Sequence, residues 1–174
     1  NYGIAQSDSP LISFLDSDDI WDPRKLEFSI REFERKPHIG MTCGNYQRLV
    51  NRTSLCYPFY RRPIVIDHRR LMKQNFVASG SVTMRRDVFE DLGGFDEDLW
   101  IGEDAKLWLM CSEKYEIKYL HRVLYKYSVI ESGNSLTNRA DLQKSHEGAL
   151  DIVRLESLER MNAIRLRAKS NDID

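Results

Sequence analysis

The run Leu11-Ile12-Ser13-Phe14-Leu15 stops abruptly at Asp16-Ser17-Asp18-Asp19, and this junction constrains the chain more than any other feature. A short apolar run bounded by polar residues reads as a buried strand, most often in a parallel sheet. Three carboxylates crowded behind it repel one another by ~1 kcal/mol or more per close pair, even near a surface. Open α/β sheets bind ligands beyond the carboxyl ends of their strands, which is where this strand would deliver its acids. A hard divalent cation such as Mg²⁺ or Mn²⁺ would relieve the repulsion and keep positions open for a diphosphate.

Other readings compete. Aspartates are common in turns and as helix caps. An EF-hand loop would use Asp16, Asp18 and Glu27, but Trp21 stands where glycine is needed and Pro23 lies inside the loop, so it is rejected. A two-metal nuclease or phosphatase would need further carboxylates or histidines in ligand geometry, and remains open.

A second acidic motif, Gly102-Glu103-Asp104, follows the stretch Phe95-Asp96-Glu97-Asp98-Leu99-Trp100 and opens a predicted helix to about Lys114. Leu107, Met110 and Cys111 would form its buried face. The helix dipole alone favours acids at that end. The functional alternative is a general base that takes a proton from an attacking hydroxyl.

Asp22-Pro23 signals a helix start, with Asp as N-cap and Pro at the first position. Leu26, Ile30 and Phe33 follow at helical spacing, which carries the helix to about Lys36, before Pro37. Ile39, Met41 and Cys43 mark a strand, Arg48 to Pro63 a loop or edge hairpin, and Asp67 the cap of a short helix through Met72. Ser81 to Met84 is read as a strand, and Asp87 to Leu92 as a helix closed by Gly93-Gly94. Two β-rich runs, Glu116–Leu120 and Val123–Val129, precede a tail in which Leu142, Ala149, Val153, Leu158 and Met161 suggest one long helix or two broken ones. Strands interleaved with helices indicate an α/β layered domain.

The net charge of -1 gives no global field for nucleic acid or an anionic membrane. Of the basic doublets Arg61-Arg62, Arg69-Arg70 and Arg85-Arg86, most are expected on solvated surface, with one or more able to meet a phosphate or anionic acceptor. Cys43, Cys56 and Cys111 form no CxxC pair and suit a reducing compartment. No apolar run reaches the ~18 residues that span a bilayer. The cytoplasm, or the cytoplasmic face of a membrane with peripheral contact, is therefore the expected location. His121 and His146 are expected to be surface or core residues.

Five segments together resemble family 2 of the glycosyltransferases, which has the GT-A fold. They are Asn1-Tyr2-Gly3-Ile4-Ala5, FLDSDDIW at 14–21, NFVASGSVTMRRDVFEDLGGFDE at 75–97, GEDAKLWLM at 102–110 and VLYKYSV at 123–129. The resemblance implies a layered α/β/α catalytic part over 1–135 and a helical extension over 136–174. It matches Asp16 and Asp18 to the DxD motif, with Asp18 on the metal and Asp16 or Asp19 assisting at metal or ribose. Asp104 matches the family's base and Glu103 its partner. Ala78-Ser79-Gly80-Ser81 matches the segment lining the donor and acceptor pocket, which makes Gly80 and Ser81 donor-binding. Trp108 matches an aromatic that either packs in the core or stacks on sugar.

The implied activity is transfer from a nucleotide-sugar, UDP-sugar first, to a glycan, polysaccharide or lipid-linked acceptor, with inversion and Mg²⁺ or Mn²⁺. Two departures stand. The family's opening strand and base-binding βαβ do not precede Asn1, so an N-terminally truncated fragment with an exposed sheet edge is expected. Ser128 and Ile130 occupy the places of an Arg-x-His. A non-catalytic sugar- or partner-binding domain and a metal-dependent phosphoesterase are the rival classes.

Overall fold

The computed structural model describes residues 1–50, 53–56, 65–129 and 140–171. In chain order these form α1 (Tyr2–Ala5), β1 (Leu11–Ser13), β2 (Ile20–Trp21), α2 (Lys25–Arg35), β3 (Ile39–Val50), β4 (Thr53–Cys56), β5 (Val65–Ile66) and α3 (His68–Lys73). A 3-10 turn (Ser79–Ser81), β6 (Thr83–Arg85), α4 (Arg86–Asp91), α5 (Glu103–Lys114), β7 (Glu116–Val129) and α6 (Ala140–Asn171) follow. The seven strands make one mixed sheet in the order β1-β6-β3-β7-β2, with β4 on β3 and β5 on β7.

Its centre is the parallel pair β3 and β7. Residues 39–45 of β3 are all buried, as expected for a strand covered on both faces. The first strand departs from expectation. β1 runs antiparallel to β6 with Ile12 opposite Met84, and only Ile12 of the apolar run is fully buried. The run leaves the sheet after Ser13, so Phe14 packs edge-on against Phe95 while Leu15 is exposed. Direction of pairing is set by the partner strand, which a local pattern does not encode.

α2 also differs. It begins at Lys25, because Pro23 and Arg24 form a turn in which the Asp22 carboxylate accepts from Arg24 N at 2.9 Å. Its buried face is Lys25, Ser29 and Phe33, leaving Leu26 and Ile30 about 40 % exposed (42 % and 41 %). α5 buries Ala105, Leu107, Trp108, Leu109 and Cys111 because α3, α6 and β7 all pack on it. Met110 is only partly buried. Trp108 is fully buried beside Phe14 and Phe95, which makes it a core residue rather than a sugar platform.

Apart from the start of α2, the local signals that involve one turn of chain hold. The Asp67 carboxylate accepts from Arg70 N at 2.8 Å and caps α3. Gly93 and Gly94 stop α4 at φ 83° and 78°. β3 and β4 form the hairpin expected after Arg48, while residues 57–64, including Arg61-Arg62, lie outside the described ones. The two runs expected after α5 are one strand, β7, interrupted by a bulge. The tail is one helix, α6, tied to α5 by Lys106 to Glu156 at 2.7 Å and Arg160 to Glu113 at 3.1 Å. Val153 is buried, whereas Leu158 is exposed and Ser157 is buried in its place. The side chains of Leu142 and His146, and all of Ile130, lie outside the described set. No helix among the described residues is long and apolar enough to cross a membrane.

Arg85 and Arg86 are occupied within the fold. Arg85 donates to the carbonyls of Ile39 and Phe33, and Arg86 to those of Ser9 and Ile4. Cys43 and Cys111 are buried thiols pushed upward by desolvation, Cys111 to about 12, so neither is a nucleophile.

Candidate active site

The acidic turn is built between β1 and β2. Asp19 N donates to Asp16 O at 3.1 Å, closing the turn, and Ile20 and Trp21 then pair with Lys126 and Tyr125 of β7. Ser128, further along β7, clips the turn twice. Its N–H donates to Asp19 Oδ1 at 2.8 Å, and its hydroxyl donates to Asp18 O at 2.6 Å. The residue that marked a departure from the family pattern is therefore the anchor of the motif.

The three acids are not equivalent. Asp16 and Asp18 are exposed, whereas Asp19 is 8 % exposed and its Oδ2 is buried without a hydrogen-bond partner among the described residues. Burial pushes the Asp19 carboxyl up to about 6. The nearby charges of Asp18 and Asp16 add to this, and the Ser128 N–H opposes it. An orphaned carboxylate oxygen beside two more carboxylates fits a divalent cation. Among the described residues no three metal-ligating side chains converge.

Beneath this turn lies Lys25, fully buried. Its ammonium donates to Val82 O at 2.9 Å, Thr83 Oγ1 at 3.0 Å and Ser13 Oγ at 3.3 Å, and sits 4.5 Å from the Trp21 ring. Desolvation lowers it to about 7. It binds the end of β1, the start of β6 and Trp21 into one unit.

Trp21 carries the connection to the second motif. Its Nε1 donates to Gly80 O at 3.0 Å, in the 3-10 turn. The neighbouring Ser79 hydroxyl donates to Asp104 Oδ2 at 2.6 Å. Asp104 Oδ1 accepts from Ala105 N at 2.6 Å, at the start of α5. Gly102 reaches φ +87° to turn the chain into that helix, and Glu103, its first residue, is half-buried. Trp21, two residues after the acidic turn, and Asp104 of the second motif thus bond to adjacent residues of one short turn.

Glycine is required at 80, because a Cβ there would lie 2.5 Å from the Tyr125 ring. Ser81 is fully buried. Its hydroxyl donates to Ala78 O and accepts from Gly44 N, so this side chain ties the turn to β3. Gly80, expected as donor-binding, is likewise buried and contributes its carbonyl to Trp21. The sequence reading missed Ser79, Trp21 and Ser128 as individual residues. All three fall inside segments that carry the family resemblance, but nothing local gave them these bonding roles.

The sequence model for the family described as glycosyltransferase like family 2 matches residues 1–140. A relative from Escherichia coli, UDP-Glc:alpha-D-GlcNAc-diphosphoundecaprenol beta-1,3-glucosyltransferase WfgD, is 28 % identical over 88 % of this chain and 59 % of its own length. The poly-beta-1,6-N-acetyl-D-glucosamine synthase of Staphylococcus epidermidis is 26 % identical over 71 % of this chain and 32 % of its own. The chain thus spans between a third and three fifths of these relatives. Among solved structures, S. aureus TarS 1-349 in complex with UDP-GlcNAc superposes with a TM-score of 0.63 at 16 % identity, covering 92 % of this chain and 51 % of that one. The complex with UDP gives 0.59 at 18 %, over 74 % and 38 %. With both acidic motifs inside the matched span and the GT-A architecture around them, the chain belongs to the glycosyltransferase-like family 2.

Proposed function

We propose that the intact protein transfers a sugar from a nucleotide-diphosphate donor to a hydroxyl of a glycan or lipid-linked acceptor, with inversion at the anomeric carbon. A UDP-sugar is the favoured donor, since WfgD uses UDP-Glc by name and TarS is seen with UDP-GlcNAc. The observation that carries the reading is the Ser79 to Asp104 hydrogen bond, next to the Trp21 to Gly80 bond that leads back to the acidic turn.

In this mechanism Asp104 accepts the proton of the acceptor hydroxyl as that oxygen attacks C1. The new bond joins acceptor oxygen to C1, and the bond from C1 to the diphosphate oxygen breaks. Ser79 holds the carboxylate in place, and Glu103 flanks it. Asp16 and Asp18 would hold Mg²⁺ or Mn²⁺, which neutralises charge on the departing diphosphate. A lipid-linked acceptor would bring the protein to the cytoplasmic face of a membrane.

The test uses the intact protein. Asp104→Asn is expected to lower transfer on the order of 10²–10⁴-fold while donor affinity stays near normal. Turnover at the normal rate would remove Asp104 from the role of base.

A further inference from the structure

A second charged feature lies away from the acidic site, in a groove of about 710 Å³ between α2 and the first half of β7. Arg31, Arg35, Lys36, Lys118 and Arg122 line it, against the single carboxylate of Glu32. The chain as a whole carries a net charge of -1, so this concentration is local.

The groove has a structural origin. The register of β7 on β3 jumps from Gly44 opposite Leu120 to Asn45 opposite Val123. His121 and Arg122 are the extra residues of that bulge, and both are exposed. A bulge re-aims side chains away from the pleat. On its other side β7 pairs with β5 at residues 117–118 and with β2 at 125–126, and the groove lies between these two pairings.

Within it Phe28 carries two cations. The Arg122 guanidinium lies 4.2 Å and that of Arg24 5.1 Å from the ring centroid. Stacking on a ring holds a guanidinium in place and leaves its N–H edge free to donate. Arg31, Arg35 and Lys36 have acid partners at 2.7, 3.5 and 3.9 Å, in Glu27, Glu32 and Glu116. Among the described residues Lys118 and Arg122 have none within salt-bridge distance. Five cations against the three carboxylates of Glu27, Glu32 and Glu116 leave a net positive groove that suits an anion of more than one charge.

The geometry points to a second anion site that takes a phosphate-bearing group, with Arg122 and Lys118 as its main donors. Ser128, the anchor of the acidic turn, lies about 20 Å along the extended strand from Arg122, further than one diphosphate reaches. The site is therefore separate from a diphosphate held at the acidic turn. A soluble phosphate compound and the headgroup of an anionic lipid share the chemistry, and experiment separates them.

Binding is measured in EDTA, so that metal held at the acidic turn takes no part. One arm titrates inorganic pyrophosphate. The other co-sediments the protein with vesicles of phosphatidylcholine, alone or mixed with an equal amount of phosphatidylglycerol. Binding in either arm is expected to weaken about ten-fold in Lys118→Gln and again in Arg122→Gln, and to survive in Arg122→Lys. Arg35→Gln, at a side chain 69 % exposed, provides a well-folded check and should weaken binding less. Vesicle binding that pyrophosphate displaces assigns the site to lipid, and pyrophosphate binding without vesicle binding assigns it to a soluble ligand. No binding in either arm, or binding indifferent to Lys118 and Arg122, overturns the proposal. Either result leaves the role of Asp104 untouched, since that rests on transfer rate.

Discussion

The two acidic motifs differ in how far the protein satisfies them. Asp104 has both carboxylate oxygens engaged, one by Ser79 and one by its own helix start. The acidic turn is the reverse. Its backbone is clamped by Ser128, yet Asp16 and Asp18 face solvent and Asp19 keeps a buried oxygen with no donor. A carboxylate oriented in advance suits a base, which must point at one proton. A turn with rigid backbone and unmet charge suits a ligand that arrives with positive charge.

This contrast can be broken at four places. Asp18→Ala should weaken Mn²⁺-dependent donor binding about a hundred-fold, measured by calorimetry with and without the metal. Equal affinity in both variants would mean that the turn holds no cation. Gly80→Ala forces a Cβ against Tyr125 and should destabilise the fold by about 1–3 kcal/mol, disturbing both motifs because the turn joins them. A melt that barely changes would show that the two motifs are not coupled through this turn.

Ser79→Ala removes a hydrogen bond to a charged group. It should lower kcat about ten-fold in the intact protein, with donor KM and stability little altered. A change confined to KM would make Ser79 a substrate contact instead of the support of the base.

The smallest effect concerns Asp19. Its folded-state pKa of about 6 exceeds the ordinary value of 3.8, so the folded chain binds the extra proton. Stability of the metal-free protein should therefore fall as pH rises from about 4 to about 6, and stay lower above that. Asp19→Asn keeps an acceptor for Ser128 N and should raise stability at pH 7 by about 1 kcal/mol, with no gain below about pH 4. Saturating Mn²⁺ should abolish that advantage in denaturant melts. A gain that persists at low pH would trace to packing, not charge.

Lys25 shows why parts of the site were not legible. Nothing in the sequence singles it out, and the helical spacing marks Leu26, Ile30 and Phe33 instead. A lysine can be buried only where oxygen acceptors surround it, and these come from Ser13, Val82 and Thr83, on two other strands. Ser128 is similar. A serine in a strand carries no signal until β2 lies beside β7. By contrast, the acidic cluster, the helix opening at Glu103, the Asp67 cap and the Gly93-Gly94 stop were readable. Each depends on residues within about one turn of chain.

The sequence alone determined which chemistry the chain carries and where its local breaks fall, because charge crowding, capping and positive φ are properties of neighbours. Tertiary structure decided which acids stay exposed, which serine bonds Asp104, and which lysine is buried. Those outcomes depend on strand direction and pairing between segments distant in the chain, and long-range contacts choose among several local conformations of similar energy.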